Sequence, residues 1–149
     1  MKADSLQLPD ETRVGSVHLR TPSLTRTLDF YQRVFGFKVI ERGESEASLS
    51  SAGQTPALLV FTGDPMAAPR PQRSTGLYHF AVHYPARRDL ADAFRRIVAT
   101  ENPISGAADH GVAESIHLND ADGNGVELYY DRPRSQWPMR QGRLQDPIG

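Results

Sequence analysis

The sequence predicts a single α+β domain in which two βαβββ repeats form a cupped, mixed β-sheet with the helices on its outer face. The first observation is that strand-like stretches and helical stripes follow one another in the same order in both halves of the chain. The second is the size of the repeated unit, which indicates duplication of a small module. The third is length, because 149 residues supply only two such modules and neither could bury its sheet face alone.

The first repeat, residues 12–63, begins with the strand VGSVHLR, after which Pro22 and Ser23 open a helix. Gly36 stands just past the helix, where a left-handed residue commonly ends one. Three short strands then follow, FKVIER, EASLSSA and ALLVFTG. The residues on one stripe of the helix, spaced at the helical period, are Leu24, Leu28, Tyr31 and Val34 or Phe35.

The second repeat, residues 76–131, follows a linker at 64–75 that is rich in Pro, Gly and Ser. It consists of the strand GLYHFAVHY, the helix RRDLADAFRRIVAT, a loop containing Gly and Ala, the strand-like DHGVAESIHLND, a turn and the strand VELYYD. The residues expected on the buried face of its helix are Leu90, Phe94, Ile97 and Val98. An extended tail without regular structure is expected at 132–149, because Pro and Gly recur in it, with Trp137 as a docking point.

Composition excludes several classes of function. The formal net charge of -1 gives no electrostatic case for binding nucleic acid or an anionic membrane. The absence of cysteine excludes disulfides, thiolate ligands and a cysteine nucleophile. No apolar run approaches the length of a membrane span, and the first residues lack an apolar signal core, so we expect a cytoplasmic protein.

Three strand-like stretches each carry one side chain that can bind a metal: His18 in VGSVHLR, His79 in GLYHFAVH and Glu127 in GNGVELYY. Two imidazoles and one carboxylate can hold Fe(II), Mn(II) or Zn(II) and leave coordination positions open for a substrate. A structural alternative stays open for each residue taken alone. A lone strand His is more often hydrogen-bonded within the fold, and a lone strand Glu is more often solvated.

Alternation along the strands places further side chains on the same face as these candidates. His83 shares the face of His79, and Tyr129 shares the face of Glu127, while apolar residues occupy the opposite face. The apolar face is the natural side for helix packing, so the His and Glu face is expected to line the concave side. His83 and Tyr129 are therefore candidates for a substrate wall. A structural strand-end His and a packed core Tyr are the alternatives.

The turn before the last strand offers a competing interpretation as a calcium loop. The residues at calcium-loop spacing are Asp120, Asp122, Asn124, Gly125 and Asp131. An EF-hand needs helices on both sides, whereas the flanks SIHL and VELYY are strand-like and Pro133 blocks a following helix. A hairpin turn explains the same residues and is favoured.

The segments VHL, LDFYQRVFGF, GLYHFAV and DADGNGVELYYDRP together resemble the vicinal oxygen chelate superfamily. That superfamily includes glyoxalase I, extradiol catechol dioxygenases, fosfomycin-modifying enzymes and bleomycin-resistance proteins. The likeness covers about residues 12–137. It is strongest to a catechol-2,3-dioxygenase-type module, through DHGVAESIHL followed by NGVELYYDRPRSQW. The resemblance implies metal ligands on the first strand of each repeat and on the last strand, which are His18, His79 and Glu127 here.

One departure from the family pattern bears on the metal. Glyoxalase-type members have a fourth ligand, a carboxylate on the last strand of the first repeat, and Leu58 or Leu59 stands at the matching place here. The remaining two imidazoles and one carboxylate are associated with non-haem Fe(II) oxygenases, so Fe(II) is favoured. Mn(II) would suit a thiol transferase with the same ligand count, and Zn(II) or Ni(II) would suit a lyase or isomerase.

Two further histidines take catalytic positions by the same resemblance. His110 resembles the His that lies beside the metal in extradiol dioxygenases, and His117 falls where those enzymes have a Tyr that acts as acid or hydrogen-bond donor. A His can still donate and accept protons near neutral pH. The structural alternatives are a loop His that satisfies backbone groups and a strand His that faces solvent.

The function implied is extradiol ring cleavage of a small, catecholic substrate on Fe(II). Two alternatives stay open on the same scaffold. One is a metal-dependent lyase, isomerase or thiol transferase, and the other is a non-enzymatic, drug-sequestering binding protein. Many relatives place two modules of this kind in one chain, so we expect a homodimer here.

Overall fold

The computed structural model describes Pro9, residues 11–68 and residues 75–145. The first repeat begins with β1 (Val17–Thr21) and helix α1 (Leu24–Phe30), which continues as a π-helical turn over Tyr31–Phe35. It ends with three strands, β2 (Lys38–Arg42), β3 (Glu46–Ser50) and β4 (Leu59–Gly63). The Ser23 side chain caps α1 by accepting a hydrogen bond from the Arg26 amide, and Gly36 ends the helical segment with a φ of 78°.

The second repeat has the same order: β5 (His79–His83), α2 (Arg87–Ala99), β6 (Ile104–Asp109), β7 (Ala113–Asn119) and β8 (Gly125–Asp131). The expectation of a loop before DHGVAESIHLND was wrong, because β6 occupies that position. Gly106, Ala107 and Ala108 are weak strand formers, which hid the strand in the sequence. β6 forms because it pairs along its length with β7 at the edge of the sheet.

Each repeat forms its own four-stranded mixed sheet, in the order β1-β4-β3-β2 in the first and β5-β8-β7-β6 in the second. The first and last strands of each repeat, β1 with β4 and β5 with β8, are parallel neighbours, and the other pairs are antiparallel. The identical strand order confirms the predicted α+β fold of two βαβββ repeats.

One hydrophobic core joins the helices to one face of both sheets. We call this face of each sheet the helix side and the opposite face the open face. In the first repeat Leu28, Tyr31, Val34 and Phe35 are buried, as their spacing predicted. Aromatic edge-to-face contacts link Tyr31 and Phe35 to Phe37 at centroid distances of 6.2 and 6.4 Å.

The buried stripe of α2 differs from the predicted one. Leu90, Ala93 and Ile97 are buried, whereas Phe94 and Val98 are 43% and 55% exposed. The buried face of α2 is centred on Ala93, because the small side chain of that residue lets α2 pack closely against its neighbours. Phe94 consequently lies over the outer part of the second sheet, where it borders a cavity together with Ala107 of β6.

The two repeats are joined by hydrogen bonds from the first helix to the turn before β8. The Tyr31 hydroxyl donates to Asp120 at 2.8 Å, and the Thr27 hydroxyl donates to Asp122 at 2.9 Å, while Arg26 forms an ion pair with Asp122. Burial, and then the charge of Asp120, raise the pKa of Tyr31, so its hydroxyl stays a donor. The acidic side chains of this turn are therefore engaged within the fold.

The same turn settles the choice between a calcium loop and a hairpin. Asp120 accepts hydrogen bonds from the Asp122 and Asn124 amides at 2.9 and 2.8 Å, and Gly123 has a φ of 82°. Strands β7 and β8 flank the turn on both sides. This is the strand–turn–strand arrangement that the sequence favoured.

The tail contains more regular structure than expected. A 3-10 turn at Arg134–Gln136 is followed by a short hairpin of β9 (Met139–Arg140) and β10 (Arg143–Leu144). The Trp137 indole donates to the Arg132 carbonyl at 2.9 Å and so anchors the tail to the end of β8. Residues 69–74 of the predicted linker and 146–149 of the predicted tail lie outside the described residues. Within the described ranges, no helix is long and apolar enough to cross a membrane.

Candidate metal centre

His79 and Glu127 meet on the open face of the second sheet. The strands that carry them, β5 and β8, are parallel, with His79 opposite Gly125 and Ala81 opposite Glu127. Their neighbours Phe80, Val126 and Leu128 are buried in the core, so alternation turns His79 and Glu127 away from it. His79 Nε2 lies 3.1 Å from Glu127 Oε2.

His117 approaches the same carboxylate from the other side. It lies on β7, directly opposite Glu127 in the antiparallel register, and its Nε2 is 3.7 Å from Glu127 Oε1. The rings of His79 and His117 are 6.0 Å apart in an edge-to-face orientation. The buried Ser115 hydroxyl is 3.1 Å from the same His117 Nε2. One carboxylate thus lies between two imidazoles.

His110 lies in the turn between β6 and β7, where its amide donates to the Ala113 carbonyl at 2.9 Å. Its imidazole is exposed and reaches back toward β7. One ligand atom each from His110, His117 and Glu127 lie within 4.8 Å of one another, the single such group among the residues that the structure describes. The last strands of the second repeat therefore gather two imidazoles and a carboxylate within reach of one ion.

His18 lies on the other sheet and outside that group. Its Nε2 is 2.8 Å from the Thr62 hydroxyl and 3.9 Å from the Glu46 carboxylate. The structure thus brings together His79, His110, His117 and Glu127 and gives His18 a separate acidic neighbour. Glu46 was missed at the sequence level, although the alternation of EASLS, with Ala47 and Leu49 buried, could have revealed it.

The register of the first sheet also locates the position of the missing fourth ligand. His18 pairs with Val60 on β4, whereas Leu59 is buried in the core. In the second sheet, Glu127 pairs with the residue two after His79, so the matching position on β4 is Thr62, which pairs with Arg20. The position assigned to Leu58 or Leu59 is therefore Thr62, which carries a hydroxyl and no carboxylate. Within the described ranges, the carboxylate that pairs with His18 is that of Glu46 on β3.

The two candidate wall residues lie side by side farther along β5 and β8. His83 pairs with Tyr129 in the register, and their rings are 5.0 Å apart. Burial, and then Asp131 and Glu127, raise the pKa of Tyr129, so its hydroxyl is a neutral hydrogen-bonding group. His83 Nε2 lies 3.6 Å from Asp131. Both side chains belong to the open face that carries Glu127.

A cavity of about 410 Å³ opens beside the imidazoles, at the opposite end from Tyr129. His79 and His117 line it together with Tyr78, Ser105 and Asn119. The Tyr78 ring is tilted against the His79 ring at 4.9 Å. Tyr78 was not among the candidates because alternation along the predicted strand puts it on the face opposite His79, whereas the residue precedes β5 and is exposed.

Gly125 allows β5 and β8 to approach each other at this point. A Cβ atom at Gly125 would lie 2.6 Å from the Tyr78 carbonyl oxygen and 3.0 Å from the His79 Cβ. Both distances are shorter than ordinary contacts. The absence of a side chain at Gly125 therefore helps to set the position of His79 relative to Glu127.

The donor set fits a divalent transition metal. Neutral imidazoles and one carboxylate suit Fe(II), Mn(II) or Zn(II), and the carboxylate would offset part of the charge of the ion. The ligands come from one side, the face of the sheet, so positions toward the cavity would remain open. Ser115 contacts His117, which orients that ring in the way that neighbours of metal-site histidines do.

Comparison with known proteins gives a consistent result. A family model described as Glyoxalase/Bleomycin resistance protein/Dioxygenase superfamily matches residues 13–128. The catechol-2,3-dioxygenase of Bacillus subtilis (strain 168) is 43% identical over 130 residues, which make up 86% of this chain and 45% of that protein. The chain therefore matches less than half the length of this curated relative.

Solved structures share the fold at low sequence identity. A glyoxylase/bleomycin resistance protein/dioxygenase domain from Frankia sp. EAN1pec has a TM-score of 0.68 at 17% identity, covering 83% of this chain and 94% of that one. A lactoylglutathione lyase from Agrobacterium tumefaciens has a TM-score of 0.63 at 16% identity, covering 82% and 96%. These likenesses concern the fold alone.

Proposed function

Because the chain belongs to the glyoxalase/bleomycin resistance protein/dioxygenase superfamily, we propose that it is a metal-dependent dioxygenase of the extradiol ring-cleavage type. The observation that carries the proposal is the convergence of imidazoles on Glu127 beside a cavity. Identity of 43% to a catechol-2,3-dioxygenase supports this reaction over others of the superfamily.

We propose His79 and Glu127 as metal ligands and Fe(II) as the metal. We propose His18 as the third ligand, as the resemblance implies. His117 is the alternative, because its Nε2 lies 3.7 Å from Glu127 while the Nε2 of His18 contacts Thr62. When bound, the metal would supply the Lewis acidity and redox capacity that bring a vicinal oxygen pair and dioxygen together.

The remaining side chains would position the substrate and move its protons. His117 borders the cavity and contacts the Ser115 hydroxyl, so its imidazole can accept a substrate hydroxyl proton. His110 is exposed and near His117, which would let it exchange that proton with solvent. The cavity of about 410 Å³ suits a single aromatic ring, and Tyr78 offers an aromatic wall. A catechol-sized, vicinal dioxygen compound is therefore the proposed substrate.

The test is anaerobic loading with Fe(II), followed by exposure of a panel of catechols to oxygen. We expect about one iron per chain, oxygen uptake and the absorbance of ring-cleaved products. His79→Ala and Glu127→Gln should lose bound iron and turnover together, whereas the matched variant His83→Ala should keep the iron. Protein that binds iron tightly and consumes no oxygen with any catechol would exclude the dioxygenase proposal.

Metal analysis of His18→Ala and His117→Ala assigns the third ligand. If His18 is the ligand, its variant should lose iron while His117→Ala keeps iron and loses turnover. The reverse pattern would move His117 into the ligand set. Retention of iron by both single variants would exclude either histidine as an essential ligand.

A second candidate function is a metal-dependent lyase, isomerase or thiol transferase. Glu46 favours it, because this carboxylate lies 3.9 Å from His18 and could supply the acidic fourth donor that β4 lacks. That function predicts a preference for Zn(II), Ni(II) or Mn(II), no oxygen uptake and loss of activity in Glu46→Gln. A non-enzymatic binding protein would instead keep its ligand affinity in His79→Ala.

We also propose that the chain acts as a homodimer in the cytoplasm. The match of this chain to only 45% of the Bacillus subtilis relative supports pairing of two such units. Sedimentation equilibrium should give about twice the chain mass of 16.5 kDa. A concentration-independent monomer would contradict the dimer.

A further inference from the structure

A second cavity, of about 500 Å³, lies on the helix side of the second sheet, between α2 and strands β6 and β7. Its apolar lining consists of Leu90, Ala91, Phe94, Ala107, Ala108 and Ile116. Ile116 and His117 are neighbours on β7, so their side chains point to opposite faces of the sheet. The thickness of the sheet therefore separates this cavity from the candidate metal centre.

The cavity exists because the outer strand carries small side chains. Ala107 pairs with Ile116 and shares its face, so it lies where a larger side chain would fill the gap beneath α2. Phe94 borders the resulting space and remains 43% exposed, which is unusual for a large aromatic next to a sheet. The volume lies within the range of small-molecule sites, and the apolar walls are those that bind a flat ring.

Charged groups occupy one end of the same cavity. Arg87 Nε donates to both oxygens of Glu114, at 2.7 and 3.0 Å, and Arg132 donates to Glu114 at 2.9 Å. Hydrogen bonds from Arg132, and then from Arg87, lower the pKa of Glu114, so its charge is present at neutral pH and is neutralised by the arginines. Arg132 also donates to Asp109 at 2.8 Å.

The two terminal nitrogens of Arg87 are not used in its contact with Glu114. Among the described residues, Arg87 contacts Glu114 through Nε alone, and its side chain is 71% exposed. Its two terminal nitrogens can therefore turn toward a ligand at the end of the cavity. A planar guanidinium with two free nitrogens matches a carboxylate in geometry and charge.

We propose that this cavity is a binding site for a small aryl carboxylate. The ring lies between Phe94 of α2 and Ala107 of β6, and the carboxylate accepts hydrogen bonds from the terminal nitrogens of Arg87. Burial of the ring supplies affinity, and Arg87 supplies the preference for an anion. The ring and carboxylate contacts involve no proposed metal ligand, although Ser115, which contacts His117, also borders the cavity. The site therefore does not depend on whether the proposed dioxygenase activity is correct.

Isothermal titration calorimetry of the metal-free chain with 3-phenylpropionate and its neutral amide, 3-phenylpropionamide, tests the proposal. We expect a dissociation constant of about 1 mM or below for the acid and roughly tenfold weaker binding of the amide. Arg87→Gln should reduce the advantage of the acid to about twofold or less. Ala91→Leu, a substitution that helices accept readily, should fill the cavity and abolish binding of both compounds.

The matched control is His79→Ala, which should bind 3-phenylpropionate as the unaltered chain does. Circular dichroism would check that each variant is folded. The proposal is overturned if the acid shows no binding at about 10 mM, a range in which even weak sites are detected. It is also overturned if acid and amide bind equally, if Ala91→Leu retains binding, or if His79→Ala loses it, since that loss would place the acid at the metal centre.

Discussion

Gly125→Ala is expected to displace one strand of the candidate metal centre. The added Cβ would lie 2.6 Å from the Tyr78 carbonyl oxygen, whereas an unstrained contact needs roughly 3.5 Å. Relief requires β5 and β8 to separate by about 1 Å at His79, and overpacking of this kind costs about 1–3 kcal/mol. Alanine regains about 0.4–1 kcal/mol by restricting the unfolded chain. The net expectation is a loss of about 1–2 kcal/mol of unfolding free energy, or roughly 3–6 °C in melting temperature.

The same shift moves the His79 imidazole away from Glu127, so affinity for a divalent metal should fall by about tenfold or more. Thermal melting and competition with a metal chelator would measure the two effects. Gly106→Ala is the matched control, because a Cβ there meets nothing within 4 Å and Gly106 borders the same cavity. It should melt at or slightly above the unaltered chain. If Gly125→Ala melts with this control and binds metal equally well, the steric argument is refuted.

Two further predictions concern stability. Tyr31→Phe removes the donor to the buried Asp120 and should cost about 1.5–3 kcal/mol in urea unfolding, because the bond is to a charged acceptor. Tyr130→Phe is its control, and its free energy of unfolding should change by no more than about 0.5 kcal/mol. If both substitutions lower the free energy of unfolding equally, the hydrogen bond from Tyr31 to Asp120 is not the cause. Glu114→Gln should make the free energy of unfolding fall less steeply as the pH is lowered. The pKa of Glu114 in the folded chain is lowered, first by the hydrogen bond from Arg132. The stabilisation that Glu114 gives the folded chain is therefore present above its unfolded pKa of about 4.3 and is lost as the pH falls through its folded pKa. The urea midpoints of the unaltered chain and of Glu114→Gln would be measured from about pH 6 to pH 3. If the two midpoints fall in parallel, Glu114 does not contribute to the pH dependence of stability.

The sequence predicted the order of elements well where local patterns carry the information. The stripe from Leu28 to Phe35 and the stop at Gly36 are local signals, and both match the structure. β6 was not visible, because Ala107 and Ala108 pair only in the context of β7. The exposure of Phe94 was likewise unpredictable, since it depends on which neighbour α2 packs against.

The candidate site divides in the same way. Alternation along β5 and β8 placed His79 and Glu127 on one face, and the structure brings them to 3.1 Å. Sequence spacing could not supply the antiparallel register that puts His117 directly opposite Glu127. Nor could it show that His18 has Glu46 and Thr62 as neighbours, because these contacts join three strands that are distant in sequence.

The contact between Tyr31 and Asp120 constrains how this duplicated chain can change. The donor belongs to one ancestral copy and the acceptor to the other, and Asp120 is only 6% exposed. Recombination that exchanged a single copy between relatives would bring in a partner never matched to this carboxylate, and would leave it charged and dehydrated without its hydroxyl. Glu127 follows a few residues after that turn. A mismatched first repeat would therefore also disturb the position of Glu127 in the second repeat. The two copies are therefore expected to be inherited as one unit.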